Sequence, residues 1–316
     1  MDFLNDFLLP PAKSTHADAV DKLFGFVNFV SVILIVGITI AVLYFVYKYY
    51  RKSENEVTPI IRQNVPLEVA WTIIPLFLVF IVFGWGFKGY MELTQVPEDA
   101  YEIHVTAQRW LWKFEYPNGA TTTNELHVPA NRPVKLLMQS KSGDVIHSFY
   151  VPDYRIKKDV LPNQYTQVWF NVKEPGESDL FCAEYCGTGH SDMTGTVIAH
   201  SEDEYEEWLA DAGSGSMKDL PPVERGEKLF TQNACQTCHS LDGSRKTGPT
   251  VKGLFGSEEE MESGQTITVD ENYLRESILN PNAKIVAGYA AVMPSFKGQL
   301  SDDQIDAIIE YIKAQK

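Results

Sequence analysis

Between Cys182 and Met193 the chain places two thiols, an imidazole and a thioether within twelve residues: Cys182-Ala183-Glu184-Tyr185-Cys186-Gly187-Thr188-Gly189-His190-Ser191-Asp192-Met193. Soft sulfur with imidazole selects copper, zinc or iron–sulfur over magnesium or calcium. A mononuclear blue copper site takes one Cys, two His and a weak axial Met. Two cysteines make the simplest copper reading dinuclear, with both sulfurs bridging two metals. Each metal then still needs an imidazole. His190 supplies one; His147, in Asp144-Val145-Ile146-His147-Ser148-Phe149, is the best upstream candidate for the other. Gly187 and Gly189 suit a ligand loop that turns tightly through unusual backbone angles. The same pair of cysteines could form a disulfide, a buried thiol pair, or half of a zinc site. The His and Met at short spacing weigh against all three.

A second constellation is Cys235-Gln236-Thr237-Cys238-His239, the C-x-x-C-H signature of covalent c-type haem attachment. Two thioethers would anchor the porphyrin, with His239 as the proximal axial ligand. Zinc would want a second Cys/His pair nearby, and residues 221 to 316 hold none. The four cysteines thus fall into two short-range pairs, each with a use other than a structural disulfide.

These residues need elements to hold them. Leu23 to Tyr47 is a run of 25 uncharged residues and Val69 to Phe87 a run of 19. At about 1.5 Å per residue each can cross a ~30 Å hydrocarbon core. Pro75 is tolerated in such a helix, and aromatics crowd the ends of both runs, as at a membrane interface. No cleavable signal peptide is expected, since residues 1 to 12 are not basic and the apolar run is too long for a signal core. Lys48, Arg51, Lys52 and Arg62 lie between the spans, against Lys13, Lys22 and Lys88 outside them. The positive-inside rule puts the loop in the cytoplasm and both termini outside.

Beyond the spans, short β-forming stretches (101–107, 134–139, 146–151, 165–172, 179–181 and 194–199) alternate with Pro, Gly and Asn punctuation, which predicts an all-β sandwich or barrel. Trp110 and Trp112, two apart, would share a face of a strand. His16, His104, His127 and His200 have no ligand context and read as ordinary polar residues. Ser201 to Leu209 predicts an acidic helix, Ala212-Gly213-Ser214-Gly215-Ser216 a flexible linker, and Ser301 with Gln304 a capping box for a C-terminal helix. Net charge is −15, of which −10 falls after residue 201. That asymmetry predicts separate modules and argues against nucleic-acid binding.

The loop from Cys182 to Met193, with His147 and Trp110-Leu111-Trp112, resembles subunit II of the haem–copper cytochrome c oxidases over roughly residues 20 to 200. The order from Glu224 through C-x-x-C-H, Thr247-Gly248-Pro249 and Val292-Met293-Pro294 resembles a class I cytochrome c. The resemblances imply a multi-domain chain: a two-helix transmembrane hairpin within 1–90, an all-β cupredoxin-like copper A domain at 91–200, a linker at 201–220 and an all-α cytochrome c domain at 221–316. They imply copper A ligands Cys182, Cys186, His147, His190 and Met193, with the backbone carbonyl of Glu184 as the sixth. The Glu184 side chain would bind a Mg²⁺ shared with subunit I. Met293 would be the second axial haem ligand, which raises the potential and suits electron transfer; Met261, in an acidic loop, is a poor rival. Trp110 would stand where electrons reach copper, although Ala107-Gln108-Arg109 departs from the family's His-Gln-like pair. Glu68, in Leu67-Glu68-Val69-Ala70-Trp71, would sit at a proton-channel entrance.

The function so implied is electron transfer in a bacterial cytochrome c oxidase. An external one-electron donor reduces the haem c, and the electron passes to copper A and then to subunit I, which reduces O₂ and pumps protons. Subunits I and III and membrane lipid are the partners, and the bacterial plasma membrane is the site, with the redox domains on its outer side. A free-standing membrane-anchored electron shuttle is the alternative. A nitrous oxide reductase would need a second, His-rich copper cluster, and a quinol oxidase subunit would lack the copper ligands.

Overall fold

The computed structural model describes residues 7–54, 56–57, 60, 63–213 and 220–316. Arg62 and the linker residues Ser214, Gly215 and Ser216 lie outside the described residues. The chain divides into two compact units, one running to Glu98 with Asp153–Arg155 added, the other comprising Asp99–Pro152 and Ile156–Lys316.

Two long helices make the first unit, α1 (Thr15–Lys48) and α2 (Val65–Thr94). Both outrun the uncharged stretches because their ends are capped outside them. The Ser14 side chain accepts from the Ala17 amide, and the Asn64 side chain from that of Leu67. The most apolar 18-residue window of each helix buries nothing inside the protein, and Ile35, Ile38, Phe77 and Phe80 stand exposed. A continuous apolar surface of this size calls for hydrocarbon around it rather than water. The helices meet where Phe26 tilts against Trp85, 5.7 Å between ring centroids, and Leu23 packs over Gly86. At the head of α1, Arg155 clamps both carboxylate oxygens of Asp21 at 2.8 and 3.0 Å, and Lys13 pairs with Asp153 at 2.7 Å.

The second unit begins as a β-sandwich of two five-stranded sheets. One sheet runs β3 (Thr121–Thr123), β2 (Leu111–Glu115), β1 (Tyr101–Gln108), β5 (Pro133–Ser140), β8 (Thr166–Asn171). The other runs β4 (Glu125–Pro129), β10 (Thr194–His200), β9 (Gly176–Cys182), β6 (His147–Val151), β7 (Ile156–Val160). The β1–β5 and β4–β10 pairs are parallel and the other pairs antiparallel. Strict alternation along β5 sends Val134, Leu136 and Met138 into the core. The six stretches expected as strands are present, and β2, β3, β4 and β7 join them.

Trp110 and Trp112 do not share a strand face. Gln108 pairs with Leu111, so Arg109 and Trp110 form the two-residue turn between β1 and β2. Trp112 is fully buried against Phe149 and His147, whereas Trp110 is turned away from the sheet.

Helix α3 (Glu202–Gly213) follows β10. Its Trp208 stacks on His127 at 4.1 Å, and His127 Nδ1 lies 2.8 Å from His200 Nε2. The parallel β4–β10 register, His127 opposite Ile198, puts His127 and His200 on one face. Burial, with the neighbouring His200, holds His127 down at about 4; burial also lowers His200. An unfolded histidine takes its proton near 6.5, so between about pH 6.5 and 4 the unfolded chain binds more protons and stability rises with pH. Acidification through that window should therefore remove on the order of 3 kcal/mol from this domain, measured by denaturant unfolding at several pH values. His127→Leu should flatten that slope; an unchanged slope would assign the acid loss to carboxylates instead.

The C-terminal region is helical: α4 (Pro222–Gln232), the single turn α5 (Cys235–Cys238), α6 (Glu271–Leu279) and α7 (Asp302–Ala314). Ser301 and Gln304 form the capping box of α7. One departure from an all-α region is a hairpin of β11 (Glu258–Glu260) and β12 (Thr266–Thr268). It is too short and too polar to carry a strand signal. Met261, just after β11, is buried in the core of this region rather than exposed in a loop.

Candidate metal centre

Three elements bring the sulfur and imidazole donors together. His147 opens β6, Cys182 closes β9, and the loop from β9 to β10 carries Cys186, His190 and Met193. Phe149 pairs with Cys182 across β6–β9, which fixes the distance between the upstream histidine and the loop. Cys182 Sγ lies 3.8 Å from Cys186 Sγ, 3.9 Å from His147 Nδ1 and 3.3 Å from the Glu184 carbonyl oxygen. Cys186 Sγ lies 3.6 Å from His190 Nδ1 and 3.8 Å from Met193 Sδ. The sulfurs are far beyond the ~2.05 Å of a disulfide. Separations near 3.8 Å suit donors that share a metal with bonds of about 2.0–2.3 Å.

The donor set fits two soft ions. His147, Cys182, Cys186 and Met193 are buried. Glu184 turns its side chain to solvent while its carbonyl faces the sulfurs. His147 Nε2 is buried and faces the Asp144 carboxylate at 3.6 Å. A carboxylate can only accept, so Nε2 carries the proton and Nδ1 keeps its lone pair for a metal. Burial opposes ionisation of both thiols. The His147 imidazole overcomes this at Cys182 and draws it down, while Cys186, buried beside that thiolate, is pushed up. The protein groups alone therefore favour one thiolate, and a cation shared between the two sulfurs would stabilise both.

The two loop glycines serve different ends. Gly187 has φ +117, the angle expected of a tight turn. Gly189 has φ −90, and a Cβ there would lie 2.6 Å from the Trp110 ring. Its lack of a side chain makes room for the indole, whose Nε1 donates to the Cys186 carbonyl at 3.2 Å.

Trp110 also lines a second site. A cleft of about 1350 Å³, counted to its open mouth, is lined by Cys235, Cys238, His239 and Met293 together with Arg109 and Trp110. The C-x-x-C spacing on one helical turn puts both thiols on one side of α5. His239 Nδ1 donates to the Pro249 carbonyl at 2.7 Å, which leaves Nε2 to face a metal. Gly248 is needed there, since its Cβ would lie 2.7 Å from the His239 ring. Burial lowers His239, keeping it neutral, and pushes the Cys235 thiol up to about 12. Neutral thiols, a neutral imidazole and a thioether in an apolar cleft fit a covalently held haem better than a thiolate-bound cation. Met261 does not line the cleft.

Glu68 stands half-buried in the first turn of α2, with no polar partner for its side chain among the described residues. Arg109 escaped the sequence reading as a site residue. Its only signal was the unusual Ala107-Gln108-Arg109 run.

Three family models match the chain: Cytochrome C oxidase subunit II, transmembrane domain, over residues 4–88; Cytochrome C oxidase subunit II, periplasmic domain, over 119–200; and Cytochrome c over 223–316. Cytochrome c oxidase subunit 2 of Alkalihalophilus pseudofirmus is 29% identical over 298 residues, covering 90% of this chain and 84% of that one. The protein of the same name from a Synechocystis species is 29% identical over 254 residues, covering 65% and 76%. Among solved structures, the periplasmic domain of subunit II of cytochrome oxidase of Bradyrhizobium japonicum is 25% identical with a TM-score of 0.36, covering 38% of this chain and 99% of that one.

Proposed function

The chain belongs to the cytochrome c oxidase subunit II family and ends in a cytochrome c domain, and from that premise we propose that it passes electrons from its own haem to its own copper centre and on to subunit I. It is a two-pass membrane protein and part of an oxidoreductase; the family implies copper A and the C-terminal domain implies haem. Haem and copper, when bound, supply the one-electron carriers. Cys235 and Cys238 would anchor the porphyrin, with His239 and Met293 on its iron. Cys182, Cys186, His147, His190, Met193 and the Glu184 carbonyl would hold two coppers.

The observation that carries the route is Trp110. Its ring lines the haem cleft, and its indole nitrogen bonds to the backbone of the copper ligand Cys186. One residue thus touches both centres, and no diffusing carrier is needed between them. A tether of this length holds the two modules at about millimolar effective concentration in any case.

The domain boundaries proposed are 1–90, 91–200, 201–220 and 221–316. The β-sandwich and the haem region would lie outside the bacterial plasma membrane, because Lys48, Arg51, Lys52 and Arg62 between the spans favour a cytoplasmic loop. An external one-electron donor would reduce the haem. Subunit I, with subunit III beside it, would receive the electron, reduce O₂ and pump protons. The exposed Glu184 carboxylate would complete a Mg²⁺ site with subunit I, and Glu68 would feed protons to that subunit's channel.

Rapid reduction of the haem in the full chain, followed by copper absorbance, tests the route. Trp110→Phe should slow copper reduction at least tenfold without changing metal or haem content. Glu68→Gln should leave that step untouched and slow only turnover of the assembled oxidase. Unslowed transfer in Trp110→Phe would remove the route, and unslowed turnover in Glu68→Gln the proton role. Unchanged Mg²⁺ content and full activity of the assembled oxidase with Glu184→Gln would remove the shared Mg²⁺ site.

A further inference from the structure

Asp144 joins the haem cleft to a copper-side histidine. It accepts from the Arg109 amide at 2.8 Å and from the Val145 amide at 2.8 Å, and it pairs with Arg109 Nε at 2.6 Å. Its other neighbour is His147 Nε2 at 3.6 Å, and that ring is fully buried. The Asp144 side chain is itself only 8% exposed. An ionised carboxylate this close to a buried imidazole is felt strongly, because little water screens it. Arg109 is the cation that offsets it.

Arg109 has a second face. It lines the haem cleft, where Lys284 is the only other permanently charged side chain among the described residues, and Lys284 is already taken by Glu276 at 2.6 Å. The terminal nitrogens of Arg109 have no hydrogen-bond partner among the described residues, since its Nε and amide alone are engaged. It also directly precedes Trp110. The position where the family resemblance breaks is therefore a fixed positive charge between the two candidate redox sites.

We propose that Arg109 is a positioning residue that sets the reduction potential of the copper centre, by neutralising Asp144 against His147. This rests on the copper reading above. With Arg109 in place, the Asp144–Arg109 pair presents little net charge to the imidazole. Without it, an unpaired carboxylate faces the ring, draws on the Nε2 proton and makes the imidazole a better donor. Both effects favour the oxidised, more positive copper and lower its potential. Transfer from the haem becomes less downhill. The haem-side imidazole, His239, donates to the Pro249 carbonyl and not toward Asp144, so the haem should shift less.

The test is a mediated redox titration of the full chain loaded with copper and haem, following each centre by its own absorbance and the copper by electron paramagnetic resonance. Arg109→Gln should move the copper equilibrium about tenfold toward the oxidised form, about 59 mV for one electron, with the resonance still shared over two coppers. Arg109→Lys, which keeps the charge within reach of Asp144, should recover most of that shift. The double variant Arg109→Gln/Asp144→Asn should return close to the parent value, because both charges are gone. A copper midpoint unmoved in Arg109→Gln would overturn the proposal. Equal shifts in Arg109→Gln and Arg109→Lys would overturn it too, since packing rather than charge would then be the cause. If the parent chain itself lacks a two-copper resonance, the copper reading fails instead, and the two failures are told apart in the first spectrum.

Discussion

Cys186→Ser should abolish the dinuclear centre while leaving haem attachment at Cys235 and Cys238 intact. Three donors converge on Cys186 Sγ: Cys182 Sγ, His190 Nδ1 and Met193 Sδ all lie 3.6–3.8 Å from it. A serine oxygen is harder, and it favours copper in its softer state far less than sulfur does. It also sits closer to the backbone, so it cannot bridge two ions at the spacing the loop presents. What remains is Cys182 with His147, enough for one metal at most. Copper bound per chain should fall to about one or fewer, and the resonance shared over two nuclei should disappear. Electron delivery to subunit I should drop by more than the ~10–100-fold that loss of an outer-shell partner costs. Met193→Leu gives the contrast. Met193 is fully buried with its sulfur 3.8 Å from Cys186 Sγ, as suits a weak axial ligand. That variant should keep both coppers and shift only the potential. Two-copper resonance surviving in Cys186→Ser would mean that the bridging sulfur lies elsewhere.

That the sulfur and imidazole donors converge was legible in the sequence, because metal chemistry admits few residue types and most of these donors lie within one short loop. Only His147 had to be found at a distance, and its aspartate three residues before it was already visible. The spans were legible for a similar reason, since hydrocarbon tolerates no charge. Their ends were not, because capping by Ser14 and Asn64 extends each helix beyond its apolar run. The placement of Trp110, though not the role its resemblance implied, was misread through the assumption of strand alternation. A two-residue turn rotates it off the sheet, and its proper partners, Gly189 and the Cys186 carbonyl, come from almost eighty residues away. His127 and His200 read as ordinary polar residues for the same cause. Nothing local to either announces that β4 and β10 pair in parallel and bring them into contact. The Gly189 requirement was misattributed to backbone angle, because spacing alone cannot tell a glycine needed for φ from one needed for room.

Gly226→Ala should destabilise the cytochrome domain, although alanine is the better helix former. In α4 the swap would gain about 1 kcal/mol from backbone propensity. Against that, a Cβ at 226 would lie 1.9 Å from the Ala307 carbonyl oxygen and 2.7 Å from the Tyr311 Cβ. Neither is the far end of a flexible side chain: one is backbone of α7, and the other is fixed to it. Relief therefore needs α4 and α7 to move apart along a contact that buries Leu229 and Phe230 of α4 with Ile308 and Ile312 of α7. Overpacking of this kind typically costs about 1–3 kcal/mol and occasionally more, and separating the helices adds lost burial at roughly 25 cal/mol per Å². A net loss of about 3 kcal/mol would lower the melting temperature of a domain of this size by about 12–24 °C. The haem absorbance of the full chain should show that shift on heating, while the copper absorbance melts as before, since the β-sandwich contains neither helix. The two signals falling together by the same amount would show that the haem region and the copper domain unfold as one, and an unmoved haem melt would show that α4 and α7 can part at little cost.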